Sequence, residues 1–162
     1  MATVRRFPET VVIHDDRFAP IVITIWSGTA SVEVARWHNE LQREDVRKAV
    51  AKGQRLVSIS DATKADRPGP EVRKFWADAL AETTPEQEAG TLSTYVVISS
   101  AVMRGVMTAI GWLSERARSI KSVPTLADAI RAALEDLDAE GIPRPSGLDP
   151  DSYTPPADSD VA

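Results

Sequence analysis

The stretch "TVVIHDDRFAPIVITIWSG", residues 10–28, decides the fold. Thr10–His14 and Ile21–Ile25 are β-branched runs on either side of a polar turn at Asp15 and Asp16, and a Ser-Gly stop follows Trp26. Two such runs so close in sequence predict an antiparallel hairpin. Pro20 and the β-branched residues after it argue against a helix here. The hairpin is expected to carry the Asp15/Asp16 turn to the end of the sheet opposite Asp61.

Outward from the hairpin, strands and helices alternate. Residues 29–54, "TASVEVARWHNELQREDVRKAVAKGQ", predict a helix capped by Ser31 and stopped at Gly53. Val34, Trp37 and Leu41 share a face that Val46, Ala49 and Val50 resume. The step from 41 to 46 breaks the spacing and predicts a bend or second helix near residues 43–45. "RLVSISDAT" predicts a strand of alternating small polar and aliphatic residues, and a helix opens at Pro70 with Val72, Phe75, Trp76, Ala79 and Leu80 on one side. "AETTPEQEAG" is a polar connector around Pro85, and "TLSTYVVIS" is the next strand. A helix from Ala101, a short strand in "ARSIKSVP" and a final helix capped by Thr125 complete the pattern.

The order ββαβαβαβα implies a single α/β domain over residues 8–140, with a mixed, mostly parallel five-stranded sheet covered by about four helices. Residues 1–7 form an N-terminal extension. Residues 141–162 hold five of the 11 prolines and no aliphatic periodicity, which predicts a disordered acidic tail.

Composition narrows the function. The 162 residues carry a net charge of -5 and no cysteine. Disulfides and thiolate chemistry are thereby excluded, and nucleic acid is an unexpected partner. No run approaches a membrane span, and a cytoplasmic location is expected. His14 and His38 lack paired ligand spacing, and P-loop, Gly-rich dinucleotide and nucleophile-elbow motifs are missing. No enzyme activity, metal or cofactor is expected.

A strand hairpin first, and then a polar loop opening a helix after the third strand, resembles the STAS domain of anti-sigma-factor antagonist-like and SEC14-like proteins. The resemblance covers about residues 10–139. Switching members carry Asp-Ser-Ser-Gly or a close variant in that loop, with a serine phosphorylated by a partner kinase. The matching tetrapeptide here is "DRPG", with Asp66 and Gly69 in place but Arg67 and Pro68 at the serine positions. The resemblance implies a regulatory docking module whose partner is another protein.

The candidate docking loop comprises Thr63, Lys64, Asp66, Arg67, Glu71 and Arg73, with Ser60 and Thr63 as candidate phosphoacceptors near a helix start. Pro70 at a first helical position and Glu71 against the positive helix end explain much of "DRPGPE" as capping alone. A second candidate is the apolar helix face around Met103, Arg104 and Met107, where the small residues Ala101, Gly105 and Ala109 allow close approach. That face suits core packing, a homodimer, or a lipid or apolar small-molecule ligand, the last by the SEC14-like resemblance. A receiver-like phosphoacceptor is the remaining alternative, with Asp61 as acceptor beside Asp15 and Asp16, Ser99 or Ser100, and Lys121.

Overall fold

The computed structural model describes residues 1–102, 104, 105, 107, 108 and 119–157. Among them, six strands form one sheet in chain order: β1 Ala2–Arg6, β2 Thr10–Asp15, β3 Ile21–Gly28, β4 Leu56–Ala65, β5 Thr91–Val97 and β6 Lys121–Val123. The first three strands pair antiparallel, and β3 through β6 run parallel. The helices are α1 Val32–Ala51, α2 Pro70–Ala81, α3 Pro85–Gly90 and α4 Leu126–Ala139. Described residues between 101 and 108 are also helical. The single α/β domain with a mixed sheet is as expected, with one strand more.

That extra strand comes from residues 1–7, expected as an extension. Ala2–Arg6 pairs with β2 from Ala2↔Asp15 to Arg6↔Val11, and the Met1 amino group meets the Asp16 carboxylate. The hairpin of β2 and β3 turns through a cis Ala19–Pro20 bond. At the far end of β3, Gly28 has φ of 86°, and a Cβ there would lie 2.2 Å from the Glu9 carbonyl oxygen, so only glycine fits.

α1 runs unbroken through residues 43–45, contrary to the expected bend. Its buried stripe is Val34, Ala35, His38, Asp45, Val46 and Ala49. Two polar residues occupy inward positions, so the apolar spacing breaks while the helix does not. Ser31 caps it by accepting from the Val34 N–H. The connector at 81–90 contains α3, opened by a capping box in which Thr84 and Gln87 exchange hydrogen bonds.

The two faces of the sheet are unlike. On one, α4 presses Ala129, Ile130, Ala133, Leu134 and Leu137 onto Ile21, Ile23, Val57, Ile59, Tyr95 and Val97. Residues 141–157 extend this layer, whereas disorder was expected from residue 141. Leu148 is buried in the α4 core, and Ile142 and Tyr153 pack against it. Each is an isolated anchor in a Pro-rich strap, so no periodicity announces the packing. On the other face lie α1, α2 and α3.

Candidate functional site

β4 and β5 show how the second face is built. Alternation sends Val57 and Ile59 to the α4 side and Ser58 and Ser60 to the α1 side. Ser58 pairs in register with Thr94, and Ser60 with Val96. Ser58 Oγ accepts from Gln42 Nε2 of α1 at 3.0 Å, which fixes the orientation of this face. Above these residues is a cavity of about 820 Å³, bordered by α1, α2 and the sheet. Trp26, His38, Ser60, Trp76, Leu80 and Thr94 contribute to its wall. Trp26 meets Trp76 edge-on at 6.2 Å and His38 edge-on at 4.6 Å.

Behind this wall a polar group is sealed between β2, β3 and α1. His14 Nδ1 shares a hydrogen bond with Thr24 Oγ1 at 3.1 Å. Its Nε2 lies 3.0 Å from Asp45 Oδ2, in ion-pair range but off the line of a hydrogen bond. Carboxylate, imidazole and hydroxyl follow one another as in a nucleophilic triad. Thr24 is only 1% exposed, however, so no substrate reaches its hydroxyl. The set is a buried brace. His38 beside it is held neutral, because burial and then neighbouring His14 push its pKa down to about 3.

The candidate docking loop is assembled as expected in part. β4 reaches Ala65, farther than the strand expected to end at Thr63, because Ser27↔Lys64 and Gly28↔Ala65 extend the pairing past a bulge. Thr63 is therefore in a strand; its backbone N–H and Oγ1 both donate to Asp61 Oδ1, at 2.9 and 2.7 Å. Asp66 is tied to the β3–α1 connection: its N–H donates to the Gly28 carbonyl, and its Oδ2 accepts from Thr29 Oγ1 at 2.7 Å. Gly69 is the N-cap of α2 and Pro70 its first residue. Thr63, Lys64, Asp66, Arg67 and Glu71 are exposed along one edge, whereas Arg73 is half-buried with its Nε unpartnered. Ser60 departs from the rest, lining the cavity three residues before Thr63.

The receiver arrangement is not brought together. Asp15 pairs with Ile23 and Asp61 with Ile25, so the two carboxylates share the α4 face two residues apart in register, and not opposite ends of the sheet. The hairpin is as expected, but β2 pairs with the interior of β3, which moves Asp15 inward. Arg17 clamps Asp15 at 2.8 and 2.7 Å, and the Tyr153 hydroxyl donates to it at 3.0 Å. Burial works to raise the Asp15 pKa, but these donors outweigh it and hold the carboxyl below its usual range. Burial, with Asp15 alongside, raises the Tyr153 pKa. Lys121 lies at the level of Tyr95, 3.8 Å from Asp136 Oδ2, while Asp61 is level with Val97 and Val123. Among the described residues no group of three or more His, Asp or Glu suits a metal ion, and no helix is long and apolar enough to cross a membrane.

Of the apolar helix face, Met103 lies outside the described residues. Arg104 and Val102 are exposed, and Met107 packs near Trp76 and Leu80 at the cavity. Asp45, Thr24, Gln42 and Thr94 were not anticipated from sequence. The interrupted stripe of α1 was the available signal for Asp45.

A solved structure decides the fold. The crystal structure of an anti-sigma factor antagonist from Mycobacterium paratuberculosis superposes with a TM-score of 0.50, covering 79% of this chain and 97% of that one at 14% identity. The fold is STAS-like. The STAS-like core thus accounts for nearly all of the smaller antagonist and about four-fifths of this chain. No family model matches the chain, and no curated protein matches it by sequence.

Proposed function

We propose that this chain is a cytoplasmic regulatory module that docks another protein, with no catalysis of its own, through the edge formed by the end of β4 and the start of α2. The observation that carries the reading is a charged edge held on a fixed frame. Asp66 is anchored by Gly28 and Thr29, while Lys64, Arg67 and Glu71 stand exposed beside it. Loops positioned by a rigid scaffold are frequent carriers of recognition. The likeness in fold to an anti-sigma factor antagonist supports the partner-binding role.

Arg67 and Pro68 at the usual serine positions make this a docking edge without the standard phosphoacceptor. Ser60 and Thr63 are the remaining candidates for modification. A phosphate on the Thr63 Oγ1 would set a second anion against Asp61 and remove the hydroxyl donor of one of the two hydrogen bonds that hold the strand end.

Affinity capture from the native host, comparing wild type with Lys64→Glu/Arg67→Glu, tests this reading. The double variant should keep its melting temperature and lose the protein that the wild type retains. A variant that captures the same protein equally well contradicts it.

A further inference from the structure

Ser60, Thr94 and Val96 lie on interior strands, yet each is only part-buried, while Val57, Ile59, Tyr95 and Val97 on the α4 side are at most 3% exposed. Interior strands of an α/β sheet normally gain by packing helices on both faces. The surface left to these three residues opens onto the cavity of about 820 Å³, a volume within the ~300–1,000 Å³ of small-molecule sites. Trp76, Ala79 and Leu80 make its α2 wall apolar, and Ile98 and Met107 continue that surface.

Among the described residues, five charged side chains border the cavity: Arg43, Arg55, Asp66, Glu88 and Lys121. Asp66, Glu88 and Lys121 are exposed and mark its rim, whereas Arg43 and Arg55 are part-buried in its wall. Arg55 is engaged elsewhere. Its Nε and Nη2 donate to the Ala89 and Thr91 carbonyls at 3.1 and 3.0 Å, and its Nη1 lies 3.5 Å from Glu140 Oε2. Arg43 of α1 differs, because among the described residues no carboxylate lies in ion-pair range of its guanidinium and no acceptor takes its N–H groups. Glu44, next along the helix, is taken by Arg47 at 3.1 Å. A cation withdrawn from water ordinarily has a partner. Two amides flank this one: Asn39, one turn earlier on α1, and Gln42, held to the sheet floor by its bond to Ser58.

We propose that this cavity binds a singly charged anionic amphiphile, its carboxylate on Arg43 beside Asn39 and Gln42 and its apolar chain along Trp76 and Leu80. The sign of the charge follows from the wall, where both part-buried charges are positive and one lacks a counter-ion. A single charge matches the one unpaired guanidinium, whose planar fork suits the two oxygens of a carboxylate. The apolar wall excludes water from the pair and so strengthens it. The inference does not rest on the docking edge.

Dansyl-undecanoic acid, a fluorescent carboxylate, serves as the probe, titrated into the full chain at neutral pH and competed with decanoate and 1-decanol. Saturable one-to-one binding is expected, with decanoate displacing the probe more effectively than 1-decanol by about tenfold or more. Arg43→Met keeps the unbranched side chain and removes the charge. It should weaken probe binding by about tenfold or more and bring decanoate level with 1-decanol. Thermal melts establish that the variant folds; if it does not, the preference of the wild type between decanoate and 1-decanol decides. Arg47→Met, four residues along α1 at a side chain 73% exposed, should bind the probe like wild type. So should Lys64→Glu/Arg67→Glu, which keeps this result independent of docking. Absence of saturable binding, 1-decanol displacing the probe as well as decanoate does, a folded Arg43→Met that retains the preference for decanoate, or an equal loss of binding in Arg47→Met overturns the proposal.

Discussion

Ile59 and Ser60 are adjacent on β4, yet they face two interiors built on different terms. Ile59 is fully buried among Ile23, Val97 and the inward residues of α4. Ser60 is part-buried on the floor of a cavity, in register with Thr24 and Val96. One face of the sheet is a close-packed core that holds the domain together. The other keeps space, hydroxyls and a sealed polar brace of His14, Thr24 and Asp45. A domain this size can leave one face of its sheet incompletely packed when the other, with its C-terminal strap, supplies the burial.

The largest expected effect sharpens that contrast. Ile59→Ala removes fully buried methyl groups from a packed layer and should lower unfolding free energy by about 3–4 kcal/mol. Ser60→Ala, one residue along, should change it by no more than about 0.5 kcal/mol, since its hydroxyl faces the cavity. Urea denaturation of both variants measures the difference; similar losses at the two positions would mean that the faces are packed alike.

The two regions should also separate by pH. His38 titrates near 6.5 in the unfolded chain but is pushed down to about 3 in the fold. Its lowered pKa means that the unfolded state takes up the proton first, so stability is complete above 6.5 and declines by about 1.4 kcal/mol per pH unit down towards 3. Between pH 6.5 and 5, wild type should therefore lose about 2 kcal/mol more than His38→Leu. Asp15, beside the α4 core, acts in a lower window. Its carboxyl is held below the usual value, so its contribution is whole above that value and is lost only as pH falls through the lowered one. Equal pH slopes for wild type and His38→Leu between 6.5 and 5 would remove the distinction.

Strong periodicity made part of this legible in the sequence. α4 repeats its apolar residues every three or four positions, and Thr125 and Gly141 bracket it; the hairpin was equally plain in its β-branched runs. The misses have particular causes. Thr84 and Gln87 form a capping box that marks the start of α3, but six residues with one buried position carry no amphipathic stripe. β1 holds Val4 among Thr3, Arg5 and Arg6 and is recruited by the free edge of β2, an effect of tertiary pairing and not of local propensity. The strap of residues 141–157 is fixed by Leu148 and by Tyr153 on Asp15, contacts spread too widely to leave a pattern. At the candidate site, "VSISD" shows two unlike faces in its alternation. Which face would be packed depends on α2 standing over Ser60, and no local signal encodes that.

The native chain has no cysteine, so single replacements report cleanly on each face. Ile59→Cys and Ser60→Cys can be compared in their reaction with methyl methanethiosulfonate, a small neutral reagent, under native conditions. The thiol at 60 should react faster than the thiol at 59 by about a hundredfold or more, because the latter waits for the core to open. Equal protection of the two positions would show that the cavity face is as closed as the α4 face, and would contradict the division of this sheet into a core side and a site side.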